Sequence, residues 1–315
     1  MAFGWVTLDP YFHAITILSA ACFLSGVAWP TLRLAPRARA AILIVLGSAI
    51  FALPVLVRLP ELVPRAIATL VTPLFAAALL DLHVGAASWR RQGFGTWLRF
   101  LLVAVILVHR RYAAEPPRPA RESARWLLRG LVQIAMGLAL LVWAHRTQLG
   151  TLSVWLDHLV VAVAAYLVAF DGLFVFMTGA LRLLGLHVID QSRHPILART
   201  PADFWRRYNR EAGMYLYENV FKPVGGLRSP VRGIAVVFLI NGLYHEYLFT
   251  AMTGAWCGYL LLFFAVHAVA VAATSRWRPR GAVAVLSAIG TQLFLLVTSA
   301  LFFAAADRIF PVYSS

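Results

Sequence analysis

The sequence predicts an all-α integral membrane protein, a polytopic helical bundle of about eight transmembrane helices plus re-entrant or interfacial helices. Hydrophobic residues make up 61% of the 315-residue chain and charged residues 13%, and the mean hydropathy is +0.77. Soluble domains average about 45–50% apolar and about 25% charged residues, so the composition is that of a membrane protein. Apolar segments recur from end to end, which predicts a single polytopic membrane domain over residues 1–315.

Eight segments are long and apolar enough to cross a membrane as helices, which takes about 17–25 mostly apolar residues. They are residues 11–29, 40–57, 66–87, 126–143, 152–178, 231–250, 255–274 and 282–306. The run at residues 97–109 is shorter, and we expect a re-entrant or interfacial helix there. Residues 1–10 lack a basic n-region, and no small-residue cleavage site follows, so we expect no cleavable signal peptide.

The charge pattern predicts how the chain crosses the membrane. The formal net charge is +15, and Lys222 is the only lysine among its many arginines. Basic residues occupy every second connection between spans, so the positive-inside rule places both termini outside the cytoplasm. These cations favour contact with anionic membrane lipids over nucleic acid, because they punctuate apolar spans and form no soluble basic module. We expect a multi-pass protein of a bacterial inner membrane.

Polar residues concentrate in residues 182–232, a predicted cytoplasmic or interfacial segment. Within it, Thr200-Pro201-Ala202-Asp203 has the pattern of a helix start, with a hydroxyl N-cap, a proline at the first helical position and an acid in the first turn. On the helix that follows, Arg207 lies one turn from an acid on either side and is predicted to be paired. Asn209 is expected to share a face of this helix with Trp205.

His245 lies inside the predicted membrane helix of residues 231–250. An ionisable group at membrane depth is costly to bury, and such groups usually line a cavity and act there. Asn241 lies one turn earlier and is expected to hold one ring nitrogen, while Gly242 opens space at i−3. Glu246 cannot face the same way as His245, because a helix turns by about 100° per residue. Residue spacing alone leaves a functional and a structural role for His245 open.

Other polar residues within apolar runs have a structural interpretation. A structural or interfacial role is expected for His13, His83, His145, His158 and His267, and a packing role for Cys22 and Cys257. Interhelical hydrogen bonding or a place at a span end is expected for Asp81, Asp157 and Asp171, with an ion or proton path as the alternative. A zinc site is disfavoured, because Phe249 stands where a zinc-protease helix has its second histidine.

Two segments of the chain carry a family resemblance. The first is Phe204-Trp205-Arg206-Arg207-Tyr208-Asn209, followed by Val220-Phe221-Lys222-Pro223, and the second is Gly242-Leu243-Tyr244-His245-Glu246. Together they resemble the membrane-bound O-acyltransferase (MBOAT) superfamily, most closely its wax-synthase-like branch. Asn209 and His245 are 36 positions apart, a spacing similar to that of the family. One residue is missing before the arginine pair, and Tyr208 and Asn241 replace the usual tryptophan and serine.

The resemblance implies an MBOAT-like fold and an enzyme that moves an acyl group from a thioester, acyl-CoA, to a hydroxyl of a lipid-like acceptor such as a long-chain alcohol. It implies that His245 is the catalytic base, because a desolvated imidazole can accept the proton of an alcohol. Asn209 is the second catalytic residue that it implies, with an amide placed to position the acceptor or stabilise an oxyanion. The residues expected to support them are Trp205, Asn241 and Glu246.

Three cations near the motif segments are candidates for binding the donor. Arg206, Arg210 and Lys222 are expected to hold the phosphates of acyl-CoA, with contacts to lipid headgroups as the alternative. Acyl-CoA enters as a co-substrate, and we expect neither a cofactor nor a metal.

Two other functions remain open. An acyltransferase that acts on a glycan or a protein would keep Asn209 and His245 and differ in its outer loops. A proton-coupled transporter would use His245 and the intramembrane aspartates as a relay. Repeated halves or broken spans in matching positions would favour a transporter, and we find neither in the sequence.

Overall fold

A computed structural model describes residues 10–57, 59, 61–102, 107, 118–186 and 188–314. Of these residues, 81% are helical and none forms a strand, which confirms the predicted all-α class. The chain divides into two compact units. The first comprises Met1–Ala113 and Thr250–Ala255, and the second comprises Ala114–Phe249 and Trp256–Ser315. We call them the N-terminal unit and the C-terminal unit. The single membrane domain over residues 1–315 stays a prediction.

In its described residues, the N-terminal unit has three long α-helices and two short ones. They are α1 (Pro10–Gly26), α2 (Pro36–Leu56), α3 (Leu62–Val84), α4 (Ala86–Gln92) and α5 (Phe94–Leu102). Trp97 of α5 is buried against Trp89 of α4, with ring centroids 5.0 Å apart. The described part of α5 covers nine residues. The rest of the predicted short run, residues 103–106 and 108–109, lies outside the described residues.

The C-terminal unit carries both motif segments. Its helices are α6 (Ala120–Arg146), α7 (Leu149–Leu152), α8 (Val154–Ala165), α9 (Gly172–Leu183), α10 (Pro201–Arg207), α11 (Arg210–Leu216), α12 (Pro230–Thr253, to Phe249 in this unit), α13 (Tyr259–Thr274) and α14 (Gly281–Ala306). Helices α6 and α9 pack closely because Gly179 has no side chain. A Cβ at that position would lie 2.3 Å from the backbone nitrogen of Leu127.

The predicted span at residues 152–178 corresponds to an interrupted helix. A π-helical turn at Tyr166–Phe170 and the non-helical Asp171 separate α8 from α9. The carboxylate of Asp171 accepts hydrogen bonds from Arg129 at 2.8 Å, from Gln133 at 2.8 Å and from Ser192. The other two intramembrane aspartates are also bonded, Asp157 to Ser314 and Asp81 to Trp89. The structure therefore confirms the hydrogen-bonding interpretation of these carboxylates.

Seven helical segments of the described chain are long and apolar enough to cross a membrane, which identifies a multi-pass membrane protein. They are Tyr11–Arg33, Pro36–Leu56, Leu62–Val84, Ala120–Arg146, Val154–Leu183, Pro230–Thr253 and Gly281–Ala306. The remaining predicted span, residues 255–274, is the seventh along the chain and contains only the 16-residue helix α13. At 1.5 Å per residue this helix rises about 24 Å, less than the hydrocarbon core of about 30 Å. It is short because Gly254 and Gly258 have positive φ angles and interrupt the helix.

Candidate functional site

His245 has one engaged and one free ring nitrogen. Its Nδ1 lies 2.9 Å from the main-chain oxygen of Asn241, one turn earlier on α12. A carbonyl oxygen can only accept, so Nδ1 carries the proton and Nε2 of the neutral ring keeps its lone pair. Within the part of the chain that the structure describes, Nε2 has no hydrogen-bond partner. The half-buried imidazole can therefore act as a proton acceptor.

The structure changes two details expected around His245. The imidazole is oriented by the main-chain carbonyl of Asn241 rather than by the side-chain amide. Gly242 does not open space beside the ring, because a Cβ there would meet Leu261 at 3.1 Å and Phe264 at 3.2 Å. Its role is to let α13 approach α12. The close approach of α13 at Gly242 depends on the packing of a second helix, which the spacing along one helix does not reveal.

Glu246 caps the beginning of α13. Its fully buried carboxylate accepts hydrogen bonds from the main-chain nitrogens of Cys257, Gly258, Leu260 and Leu261, at 2.9, 2.5, 3.2 and 3.3 Å, and from the Cys257 thiol at 3.2 Å. A carboxylate at a helix N-terminus satisfies free N–H groups and complements the helix dipole. Glu246 therefore fixes the start of α13.

The predicted helix start at Thr200 is confirmed. The Thr200 hydroxyl accepts a hydrogen bond of 3.0 Å from the backbone N–H of Asp203, and Pro201 is the first residue of α10. The Asp203 carboxylate pairs with Arg207 at 3.0 Å, as predicted. Burial works against ionisation of Asp203, but the Arg199 N–H and the Arg207 guanidinium hold its pKa below the ordinary value. The start of the motif segment is thus fixed by local bonds.

The expectation that Asn209 continues the same helix is wrong. Helix α10 ends at Arg207, Tyr208 is extended, and Asn209 adopts a left-handed conformation with φ 38° and ψ 61° before α11 begins. Asparagine is one of the few residues that tolerate this conformation, because its short side chain can bond to the local backbone. The Asn209 Oδ1 accepts a hydrogen bond of 3.2 Å from the backbone N–H of Ala212, which makes it the N-cap of α11.

This arrangement leaves the amide nitrogen of Asn209 available. Its Oδ1 serves the cap, whereas Nδ2 donates to none of the residues that the structure describes. The side chain is partly exposed. Asn209 therefore combines a structural role with a free N–H₂ donor that can bind an oxygen of a ligand.

A cluster of rings connects the two motif segments. We call Trp205, Phe238, Phe263, Phe264 and His267 the aromatic cluster; its residues come from α10, α12 and α13. The Trp205 ring lies 5.8 Å from Phe264, and the His245 imidazole lies 4.7 Å from the same phenylalanine, between ring centroids. Trp205 also lies 5.8 Å from Tyr208, which precedes Asn209. One continuous set of contacts therefore runs from His245 to the Asn209 segment.

Sequence reasoning missed the contribution of His267. This histidine is fully buried, and its Nδ1 and Nε2 lie 3.0 Å from Trp205 Nε1 and 3.0 Å from Thr298 Oγ1. Both nitrogens are engaged, as they are in His158, which contacts the Tyr313 hydroxyl and the Leu296 carbonyl. Their expected structural roles are confirmed. No local pattern could have paired His267 with Trp205, because 62 residues separate them.

The three candidate phosphate-binding cations all have partners within the chain. Lys222 pairs with Glu218 at 2.8 Å, and Arg210 donates to the main-chain oxygen of Asp190 at 2.8 Å. Arg206 is half exposed and lies 3.7 Å from Asp203, a looser contact. Burial and the like charge of Arg278 lower the pKa of Arg206, so an anion would be favoured there. Of the three, Arg206 is the best placed to bind a phosphate.

No protein-family model matches the chain, and no curated protein matches it at a significant level. The resemblance to the membrane-bound O-acyltransferases therefore stays a prediction from the motif segments. Within the described residues, no group of three or more His, Cys, Asp or Glu side chains is placed to hold a metal ion. Two nitrogens of the candidate site, His245 Nε2 and Asn209 Nδ2, have no partner among the described residues and can bind a ligand.

Proposed function

We propose that the protein is an O-acyltransferase of the wax-synthase-like branch of the MBOAT superfamily, with a role in lipid metabolism. Its donor is an acyl thioester, acyl-CoA, and its acceptor is the hydroxyl of a lipid-like molecule such as a long-chain alcohol. The observation that carries this proposal is the 2.9 Å contact between His245 Nδ1 and the Asn241 carbonyl oxygen. The Nδ1 proton is held by the Asn241 carbonyl, and Nε2 is left as a base. The proposed location is a bacterial inner membrane.

The proposed reaction uses this base directly. His245 Nε2 removes the proton of the acceptor hydroxyl as the oxygen attacks the thioester carbonyl carbon. The tetrahedral intermediate collapses with cleavage of the carbon–sulfur bond, and the imidazolium returns the proton to the leaving thiolate. An ester and a free thiol result, and the histidine is regenerated. The aromatic rings beside His245 exclude water, which would otherwise hydrolyse the thioester.

Asn209 has a complementary role in this proposal. Its free Nδ2 donates a hydrogen bond to an oxygen of the reacting groups, either the acceptor oxygen or the developing oxyanion. The N-cap bond to Ala212 holds the amide in one orientation, so little ordering is needed when the substrates bind. Trp205 and Glu246 support the site by fixing α10 and α13.

The donor is expected to bind at the cationic side of α10. Arg206 can exchange its loose contact with Asp203 for a phosphate, and the like charge of Arg278 favours this exchange. Binding through Lys222 would require its close ion pair with Glu218 to open. The Arg210 guanidinium already donates to the chain. We therefore assign the main phosphate contact to Arg206.

A direct assay tests the proposed function. Purified protein in detergent is incubated with palmitoyl-CoA and a panel of alcohols of increasing chain length, and the released thiol and the ester product are measured together. We expect thiol release that depends on the alcohol and matches ester formation. Release that is the same without an alcohol would indicate a hydrolase. No release with any alcohol, glycan or peptide acceptor would contradict the proposal.

A further inference from the structure

Tyr208 is held by rings from two segments of the chain. It lies in the extended link between α10 and α11, next to Asn209. Its ring stacks on Phe204 with 5.6 Å between centroids and 17° between planes. Phe170 and Phe174 contact it at 5.6 Å each, and they lie one turn apart around the π-helical turn and the start of α9. The phenol ring is therefore fixed in position.

The Tyr208 hydroxyl is left without a partner by these contacts. It forms no hydrogen bond with any residue that the structure describes. Tyrosine hydroxyls in apolar surroundings usually find a partner, as that of Tyr313 does with His158 at 2.9 Å. Burial alone raises the pKa of Tyr208, and no charged group contributes to the shift. The phenol therefore stays protonated at neutral pH and can donate a hydrogen bond.

The Tyr208 ring belongs to the set of ring contacts that reaches His245. The free amide of Asn209 is the next side chain, and Trp205 and Phe264 connect the Tyr208 ring to His245. An apolar ring wall that ends in one neutral donor fits a molecule with a long hydrocarbon chain and one uncharged oxygen. Both substrates of an acyl transfer have this chemistry, the alcohol in its hydroxyl and the thioester in its carbonyl.

We propose that the Tyr208 hydroxyl binds the uncharged oxygen of an apolar-chain substrate and thereby helps to select it. This inference rests on the proposed acyl transfer for its functional meaning, but the binding can be observed without turnover. The tyrosine is also one of the positions at which the chain departs from the family resemblance, where tryptophan is usual.

A kinetic comparison tests the selection. Tyr208→Phe removes only the hydroxyl, and its matched control is Tyr217→Phe, a half-exposed tyrosine stacked on Phe221. Loss of one neutral hydrogen bond should raise KM about 2- to 13-fold for one substrate. A rise for the alcohol identifies the acceptor hydroxyl as the ligand, and a rise for acyl-CoA identifies the thioester carbonyl. If Tyr208→Phe has the same KM as Tyr217→Phe for the alcohol, and also the same KM for acyl-CoA, the proposal is overturned.

A second measurement separates this proposal from the proposed enzyme activity. We would incorporate 3-fluorotyrosine at position 208 and record its ¹⁹F resonance in detergent. Decanol, or an acyl-CoA analogue with a ketone in place of the thioester, should shift the resonance, whereas decane should not. If wild type shows no acyl transfer but decanol shifts the resonance, the enzyme function fails and the binding site stands. Identical responses to decanol, the ketone and decane would refute the binding.

Discussion

The indole N–H of Trp205 donates a hydrogen bond of 3.0 Å to Nδ1 of His267. An indole nitrogen can only donate, so Nδ1 is the acceptor, and Nε2 carries the proton that faces Thr298 Oγ1. His267 is thus the opposite tautomer to His245, and both of its nitrogens are engaged. This difference distinguishes the two histidines of the site: one is a link between helices, and the other keeps a free base.

The Trp205–His267 bond predicts strong coupling between the two residues. Trp205→Phe or His267→Leu should each destabilise the protein by about 1–3 kcal/mol, because each leaves a buried polar group unpaired. The double variant should lose less than the sum, with an interaction energy of about 0.5–3 kcal/mol. Thermal unfolding of the purified variants in detergent measures this. If the two single losses of stability simply add in the double variant, the bond contributes nothing to the free energy of unfolding.

Glu246 is predicted to matter for folding rather than for chemistry. Glu246→Gln replaces one acceptor oxygen by an N–H₂ group that must face N–H donors, so it should destabilise the protein by about 1–3 kcal/mol. The rate of acyl transfer per folded molecule should change little. Arg118→Gln is a suitable control, because it breaks an ion pair between two exposed side chains, Arg118 and Glu122. A Glu246→Gln variant with wild-type stability and no activity would contradict this assignment.

Arg206 is predicted to bind the donor. Arg206→Ala should raise KM for acyl-CoA more than it lowers kcat, the pattern of lost ground-state binding. Arg193→Ala is the matched control, since this exposed arginine also contacts one aspartate at 3.7 Å. The rise in KM should diminish when the CoA moiety is replaced by an uncharged thiol. Equal KM values in both variants would favour the alternative, contact with lipid headgroups.

The predicted topology can be tested with single cysteines. Gln148→Cys and Leu227→Cys, introduced into a background without Cys22 and Cys257, lie at exposed positions. The positive-inside rule predicts that an impermeant thiol reagent labels position 148 in intact cells and leaves position 227 unlabelled until the membrane is permeabilised. Labelling of position 227 in intact cells would reverse the orientation of residues 182–232.

The sequence was sufficient for the fold class and for local signals. Long apolar runs predicted the spans, and the Thr200 cap is confirmed because a helix start depends on neighbouring residues. The break at Tyr208 was missed because no glycine or proline marks it, and only an asparagine precedes the new helix. The cap formed by Glu246 and the Trp205–His267 bond could not be predicted, since each depends on the packing of separate helices.

Comparison of two histidines tests most directly whether His245 is the base. His145 on α6 makes the same bond as His245, with Nδ1 3.0 Å from the carbonyl one turn earlier, but its ring is exposed. His245→Ala should reduce kcat about 10²–10⁴-fold and leave binding of the donor intact. His145→Ala and Asn241→Ala should remain near wild type, because the Asn241 contribution comes from the main chain.

Asn209→Ala completes this measurement. This substitution should also reduce kcat strongly. The double variant with His245→Ala should lose far less kcat than the product of the two single losses, because the two groups act together. Folding of every variant is checked by thermal unfolding before rates are compared. The proposed mechanism predicts loss of turnover in His245→Ala with stability retained. Acyl transfer by folded His245→Ala at a rate near that of His145→Ala would contradict it.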